Sequence, residues 1–245
     1  MQLAAVRESW TAERFAKELF WQARRKLRLT PVCGVMRELR RRGVDPSSLQ
    51  ALEVFGHVGK MVTVDYASAV AGLEVWEIEQ QFETELRRNV PQACVRIVDS
   101  YVQLRLTTRK FGLVVVDNGA MCGKHYEHFG VFPDVFRVLE DFAVLILNVV
   151  PEVYVQDAMT SEHHRRRQDF YERDPNHVPL EEMIRVYRRL ANTSGFHVRW
   201  WFIKDRYFLP SLRHQSRKKR LCFLVLALQR AGIVTERGEG SGTDL

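Results

Sequence analysis

From residue 50 onward the chain alternates short, valine-rich apolar runs with stretches able to form helices, and this alternation restricts the fold more than any other feature. Runs at 50–55, 73–78, 94–98, 111–117 and 142–148 read as strands. Segments 79–88 and 132–139 read as crossover helices; in the first, Phe82 and Leu86 share a face and Asn89 and Pro91 stop the helix. Near-continuous apolar strands separated by helices predict a parallel sheet buried on both faces. After the helix expected over 180–192 the pattern changes. Runs 196–204 and 220–229 are joined by a basic loop with no helix in it. They are expected to pair antiparallel at one edge. The fold class predicted is α/β: a Rossmann-like, doubly wound sheet with five parallel strands, a terminal antiparallel pair, and strand one at the centre.

A helix is expected over residues 9–29, with Phe15, Leu19, Phe20 and Leu27 in its apolar stripe, and a second over 35–42, closed by Gly43. Residues 1–48 thus read as a helical appendage whose aromatic side chains could close over a pocket as a lid. Residues 49–235 form the main domain, and the glycine-rich stretch 236–245 reads as a disordered tail. A chain of 245 residues suits one α/β domain with an appendage. No apolar run approaches the ~20 residues of a membrane span, and Met1 to Trp10 has no secretory apolar core. Cys33, Cys94, Cys122 and Cys222 form no CxxC pair and read as reduced thiols. These features together predict a cytoplasmic protein without a membrane partner.

In an open parallel sheet, ligands bind beyond the carboxyl ends of the strands. The expected strands end in Glu53-Val-Phe55-Gly56-His57-Val-Gly59, in Glu77, at Asp99-Ser100, in Asp117-Asn118, and in Asn148. Four successive strands therefore bring an acid to one edge. Glycines after strand one permit close backbone approach. Glu77, about 20 residues further on, is placed to accept both hydroxyls of a ribose. Asp99 would accept from an adenine amine, and Asp117 and Asn118 would face the reacting end of the ligand. The competing reading is local: helices begin after strands, and acids favour helix N-termini.

Over residues 50–229 this series resembles the class I S-adenosylmethionine-dependent methyltransferases. The resemblance implies S-adenosyl-L-methionine as cofactor. Glu53, Phe55, Gly56 and Gly59 would cradle its methionine part, Glu77 the ribose, Asp99 and Ser100 the adenine, and Asp117 the methyl group and amine. The family loop is usually acid-x-Gly-x-Gly-x-Gly. Here Phe55 and His57 stand at the first two glycine positions and only Gly59 matches, with Gly56 one position off.

The segment Asp117 to Phe129 follows strand four and carries the candidate catalytic groups: Asp117, Asn118, His125, Tyr126 and His128. A neutral histidine there would take a proton near pH 7. Cys122, His125 and His128 lack a fourth ligand, so no metal is expected. The acceptor expected is a small molecule. The alternative is a nucleic acid, gripped by Arg165, Arg166 and Arg167 and by Arg213, Arg217, Lys218, Lys219 and Arg220, in keeping with a net charge of +7. A third reading is a non-catalytic binding module on the same fold.

Overall fold

The structure is a computed structural model. It describes residues 29–60, 62–117, 128–151, 161–173, 178–205 and 222–232, with isolated positions between 19 and 27. The helix expected over 9–29, the basic loop after 205 and the C-terminal tail therefore lie essentially outside the described residues.

Seven strands form one sheet in the order β3-β2-β1-β4-β5-β7-β6. Strands β1 (Gln50–Glu53), β2 (Gly72–Glu77), β3 (Cys94–Ile97), β4 (Phe111–Val116) and β5 (Leu139–Val149) pair in parallel. β7 (Cys222–Arg230) lies antiparallel between β5 and β6 (Phe196–Asp205). The expected parallel block and terminal antiparallel pair are thus observed. The middle position goes to β4 rather than to strand one, because β7 and β6 both add on the β5 side.

Both faces of the sheet are covered, as the unbroken apolar strands require; every residue of β4 is buried. On one face the side chains are mostly aliphatic, with Tyr66 and Phe223 among them. Val75, Leu113, Val115, Ile146 and Val225 pack under α1 (Pro31–Arg41), the single turn α2 (Thr63–Tyr66) and α3 (Glu83–Asn89). On the other face, Val114, Leu145, Leu147 and Leu226 meet a cluster rich in rings. That cluster is completed by α4 (Ser100–Leu106), α5 (Ser161–Tyr171) and α6 (Leu180–Thr193).

Helix α1 begins where Thr30 accepts a hydrogen bond from the Cys33 amide and Pro31 takes a first-turn position, and Gly43 follows its end at φ +79°. Its Val32, Val35, Met36 and Leu39 are buried with Ala51 and Val75. Residues 31–41 therefore pack into the same core as the sheet. The helix expected over 132–139 is replaced by 3-10 turns at Asp134–Val138, and Leu139 already opens β5. Val135, Phe136 and Val138 bury there without needing a full α-helical turn, whose nucleation is costly in so short a segment.

Candidate functional site

The loop after β1 is tied tightly to β2. The Gly56 amide donates to the Trp76 carbonyl at 2.8 Å, and a Cβ added at Gly56 would lie 2.3 Å from Val75 Cγ1. Only glycine fits this approach. Gly59 has φ +72°, where glycine is unstrained. His57 has φ +45°, a left-handed conformation that costs a non-glycine residue about 1–2 kcal/mol. Two contacts hold it there: its amide donates to Glu77 Oε2 at 2.6 Å, and its ring lies 4.2 Å from the Phe82 ring. Phe55, by contrast, takes no positive φ and needs no glycine.

Glu77 is buried at the end of β2. Its Oε1 accepts from the Glu79 amide at 2.8 Å while Oε2 takes the His57 amide. One carboxylate thus joins the ends of two neighbouring strands. Each oxygen has two lone-pair directions, so acceptor capacity for a diol remains.

Glu53, at the end of β1, is also buried. Its Oε2 accepts from the Tyr66 hydroxyl at 2.5 Å. Burial first, and the Glu53 charge second, push the Tyr66 phenol well above its ordinary range, and Asp117 contributes in the same direction. Tyr66 therefore stays a hydrogen-bond donor, with two carboxylates close enough to act on it. Asp117 in turn accepts from Asn148 Nδ2 at 2.8 Å, which joins the ends of β4 and β5. In a chain of net charge +7, this edge concentrates Glu53, Glu77 and Asp117. Such a site favours a cationic ligand.

The remaining candidates fall out differently. Asp99 is the N-cap of α4; its Oδ1 accepts from the amides of Tyr101 at 2.8 Å and Val102 at 3.4 Å, which leaves Oδ2 for a ligand. The Ser100 hydroxyl donates to the Val54 carbonyl, so that side chain is engaged in joining α4 to β1. His128 is buried, with Nε2 2.5 Å from the Tyr187 hydroxyl, which lies 3.1 Å from the Tyr171 hydroxyl. Rings of Phe129, Phe132 and Phe170 surround it. His128 is thus held inside the ring-rich core. Asn118, Cys122, His125 and Tyr126 lie outside the described residues. Arg167 is corrected: it is fully buried, donates to the Val150 carbonyl and lies over the Tyr171 ring. Arg165 and Arg166 are exposed and pair one turn away with Asp169 at 3.8 Å and Glu162 at 2.7 Å, as on a solvated helix face. The basic positions Arg213, Arg217, Lys218, Lys219 and Arg220 lie outside the described residues.

Tyr66 is the site residue that sequence reasoning missed. It sits in a single helical turn, too short to show any periodicity.

No family model and no curated protein matches the chain. Solved structures do. A candidate S-adenosylmethionine-dependent methyltransferase from Listeria monocytogenes aligns at TM-score 0.52 and 14% identity, over 81% of this chain and 98% of that one. A candidate RNA methyltransferase from Pyrococcus horikoshii aligns at TM-score 0.50 and 10% identity, over 82% and 83%. The chain has the S-adenosylmethionine-dependent methyltransferase fold. A third similar structure, M. jannaschii TYW2 in complex with AdoMet, aligns at TM-score 0.48 and 14% identity, over 80% and 76%. In a methyltransferase fold the strand order and the antiparallel end are accounted for together, and Glu53, Glu77 and Asp117 stand at the carboxyl ends of β1, β2 and β4.

Proposed function

We propose that the chain is an S-adenosylmethionine-dependent methyltransferase. The observation that carries this reading is the row of buried or half-buried carboxylates at one sheet edge, beside a loop whose Gly56 admits no Cβ. The residues fit the cofactor chemically. Glu77 has acceptor capacity for a ribose diol. Glu53 and Asp117 offer negative charge to the ammonium and sulfonium of the methionine part. Asp99 Oδ2 is the acceptor that remains for the adenine amine. When bound, the sulfonium supplies an electrophilic methyl group. The chain's own residues then chiefly position and exclude water. Tyr66 keeps Glu53 aimed by donating to it. Asn148 holds Asp117 in one orientation. The Glu77 bonds to His57 and Glu79 fix the loop that the cofactor would lie against. Asn118, His125 and Tyr126 remain the proposed groups for moving a proton from the acceptor.

For the acceptor, RNA is preferred over the small molecule that the sequence suggested. Two observations support this. The Pyrococcus horikoshii protein that shares the fold is a candidate RNA methyltransferase. Further, the exposed side of α1 carries Arg37, Arg40 and Arg41 with Arg42 at its end, a footprint suited to a polyanion. The test is incubation with S-adenosylmethionine labelled in its methyl group, together with total RNA and a small-metabolite fraction. Label in RNA is expected. Label confined to small molecules would return the acceptor to the first reading, and label in neither fraction would count against methyl transfer.

A further inference from the structure

Helix α1 carries four arginines at or just past its last two turns, against one acid, Glu38. The edge strand β6 runs beside it: a Cβ added at Gly34 would lie 3.0 Å from Lys204 Cε. β6 adds exposed His197 and Arg199, the latter at a register shift between Val198 and Trp200. Because β6 runs in the same direction as β5, its C-terminal Lys204 and Asp205 lie at the same sheet edge as Asn148 and Asp117.

Arg42 differs from an ordinary surface arginine. Its Nε donates to Glu38 Oε1 at 2.8 Å. Its guanidinium lies over two aromatic rings, 5.2 Å from the Trp200 centroid and 5.1 Å from the Phe202 centroid. Those rings stack on each other at 6.1 Å and 24°. The hydrogen bond from Arg42 is the main reason the Glu38 carboxyl is held below its ordinary range, so Glu38 remains ionised at neutral pH and keeps its grip. The guanidinium is held by Glu38 through its Nε and lies near both rings, yet the side chain keeps 35% of its exposure. A planar cation fixed in this way has already lost much of the freedom that stacking would cost it.

We infer that the α1–β6 surface binds single-stranded RNA, with an unpaired base stacked on the Arg42 guanidinium and neighbouring phosphates meeting Arg37, Arg40, Arg41 and Arg199. This rests on the reading of the acceptor as RNA. The flat guanidinium selects for an unpaired base, since a duplex presents no free base face along its length. The surrounding charge supplies the salt-dependent part of the affinity, and the strand direction of β6 leads the bound chain to the carboxylate edge.

The experiment uses the full chain and short fluorescein-labelled RNAs, single-stranded and duplex, read by anisotropy over a range of salt, with vesicles of anionic phospholipid as a further arm. The parent is expected to prefer the single strand. Arg42→Gln should weaken binding about tenfold, within the range of a lost base-stacking contact. Arg42→Lys, which keeps the charge but not the plane, should recover little of that loss. Arg41→Gln should weaken binding less and lower the slope of log K against log salt by ~0.7, one phosphate contact. Thermal unfolding of each variant confirms that the fold is retained. Failure of the parent to bind any RNA would overturn both the acceptor reading and this surface. RNA binding that is equal in parent and variants would overturn the surface alone. Preference for duplex, or arginine-dependent binding to vesicles without binding to single strands, would replace RNA stacking by a purely electrostatic contact.

Discussion

The two halves of the sheet are built to different specifications. β1 to β4 are short, with 4, 6, 4 and 6 residues, all parallel, and their ends carry Glu53, Glu77 and Asp117. β5, β7 and β6 run 11, 9 and 10 residues, and in both β5 and β7 an unbroken apolar stretch is buried. β7 lies between β5 and β6 and pairs antiparallel with both. The short half carries acids at its strand ends, and the long half supplies continuous burial beside it. Polar groups in the short half are expected to govern ligand affinity, and side chains in the long half to govern stability.

The largest expected effect tests the long half. Phe223 on β7 is 1% exposed, and Phe223→Ala should lose ~3–5 kcal/mol in denaturant unfolding. The fraction that remains folded should bind ligand as the parent does. Gly56→Ala should come next and breach the division. Its Cβ would meet Val75 Cγ1 at 2.3 Å inside a strand that cannot easily move. A loss near the top of the ~1–3 kcal/mol range of overpacking is expected, together with weakened cofactor binding; a variant as stable as the parent would show that the loop is looser than described. Tyr187→Phe should be smaller, at ~1–2 kcal/mol, because it removes the hydroxyl lying against His128 Nε2 and the Tyr171 hydroxyl inside a ring-filled core. Its cofactor affinity should not change. A specific loss of affinity in Tyr187→Phe would place His128 back in the site.

Much of this was legible because valine-rich runs and the acids that follow them are patterns of composition. The runs ending in Glu53, Glu77 and Asp117 mark both strands and edge, and the two apolar runs 196–204 and 220–229, with no helical pattern in the sequence between them, mark the antiparallel end. What was not legible depends on conformation or on which side of an element a residue faces. Nothing in the sequence shows that His57 takes the left-handed conformation while Phe55 does not. Gly56 looked displaced from the family pattern, yet it is the position where a Cβ would collide. Arg167 read as one member of a basic run, although its spacing of three and four from Phe170 and Tyr171 sets it on the inward side of α5. Asp99 satisfies the plainer reading of an acid after a strand, since it caps α4. Tyr66 and α4 belong to helices of 4 and 7 residues, too short for a periodic signal.

Whether the carboxylate edge holds S-adenosylmethionine is decided by titration calorimetry of that cofactor into the parent chain and into Glu77→Ala. Glu77 lies buried at the end of β2, with both oxygens already joined to backbone amides of the edge. Each charged hydrogen bond it would make to a ribose hydroxyl contributes ~1.5–3 kcal/mol. Saturable binding at one site per chain is expected, weakened at least about tenfold in a folded Glu77→Ala chain, because 1.4 kcal/mol corresponds to a factor of ten. Absence of binding to the parent, or equal affinity in the two chains, would contradict it.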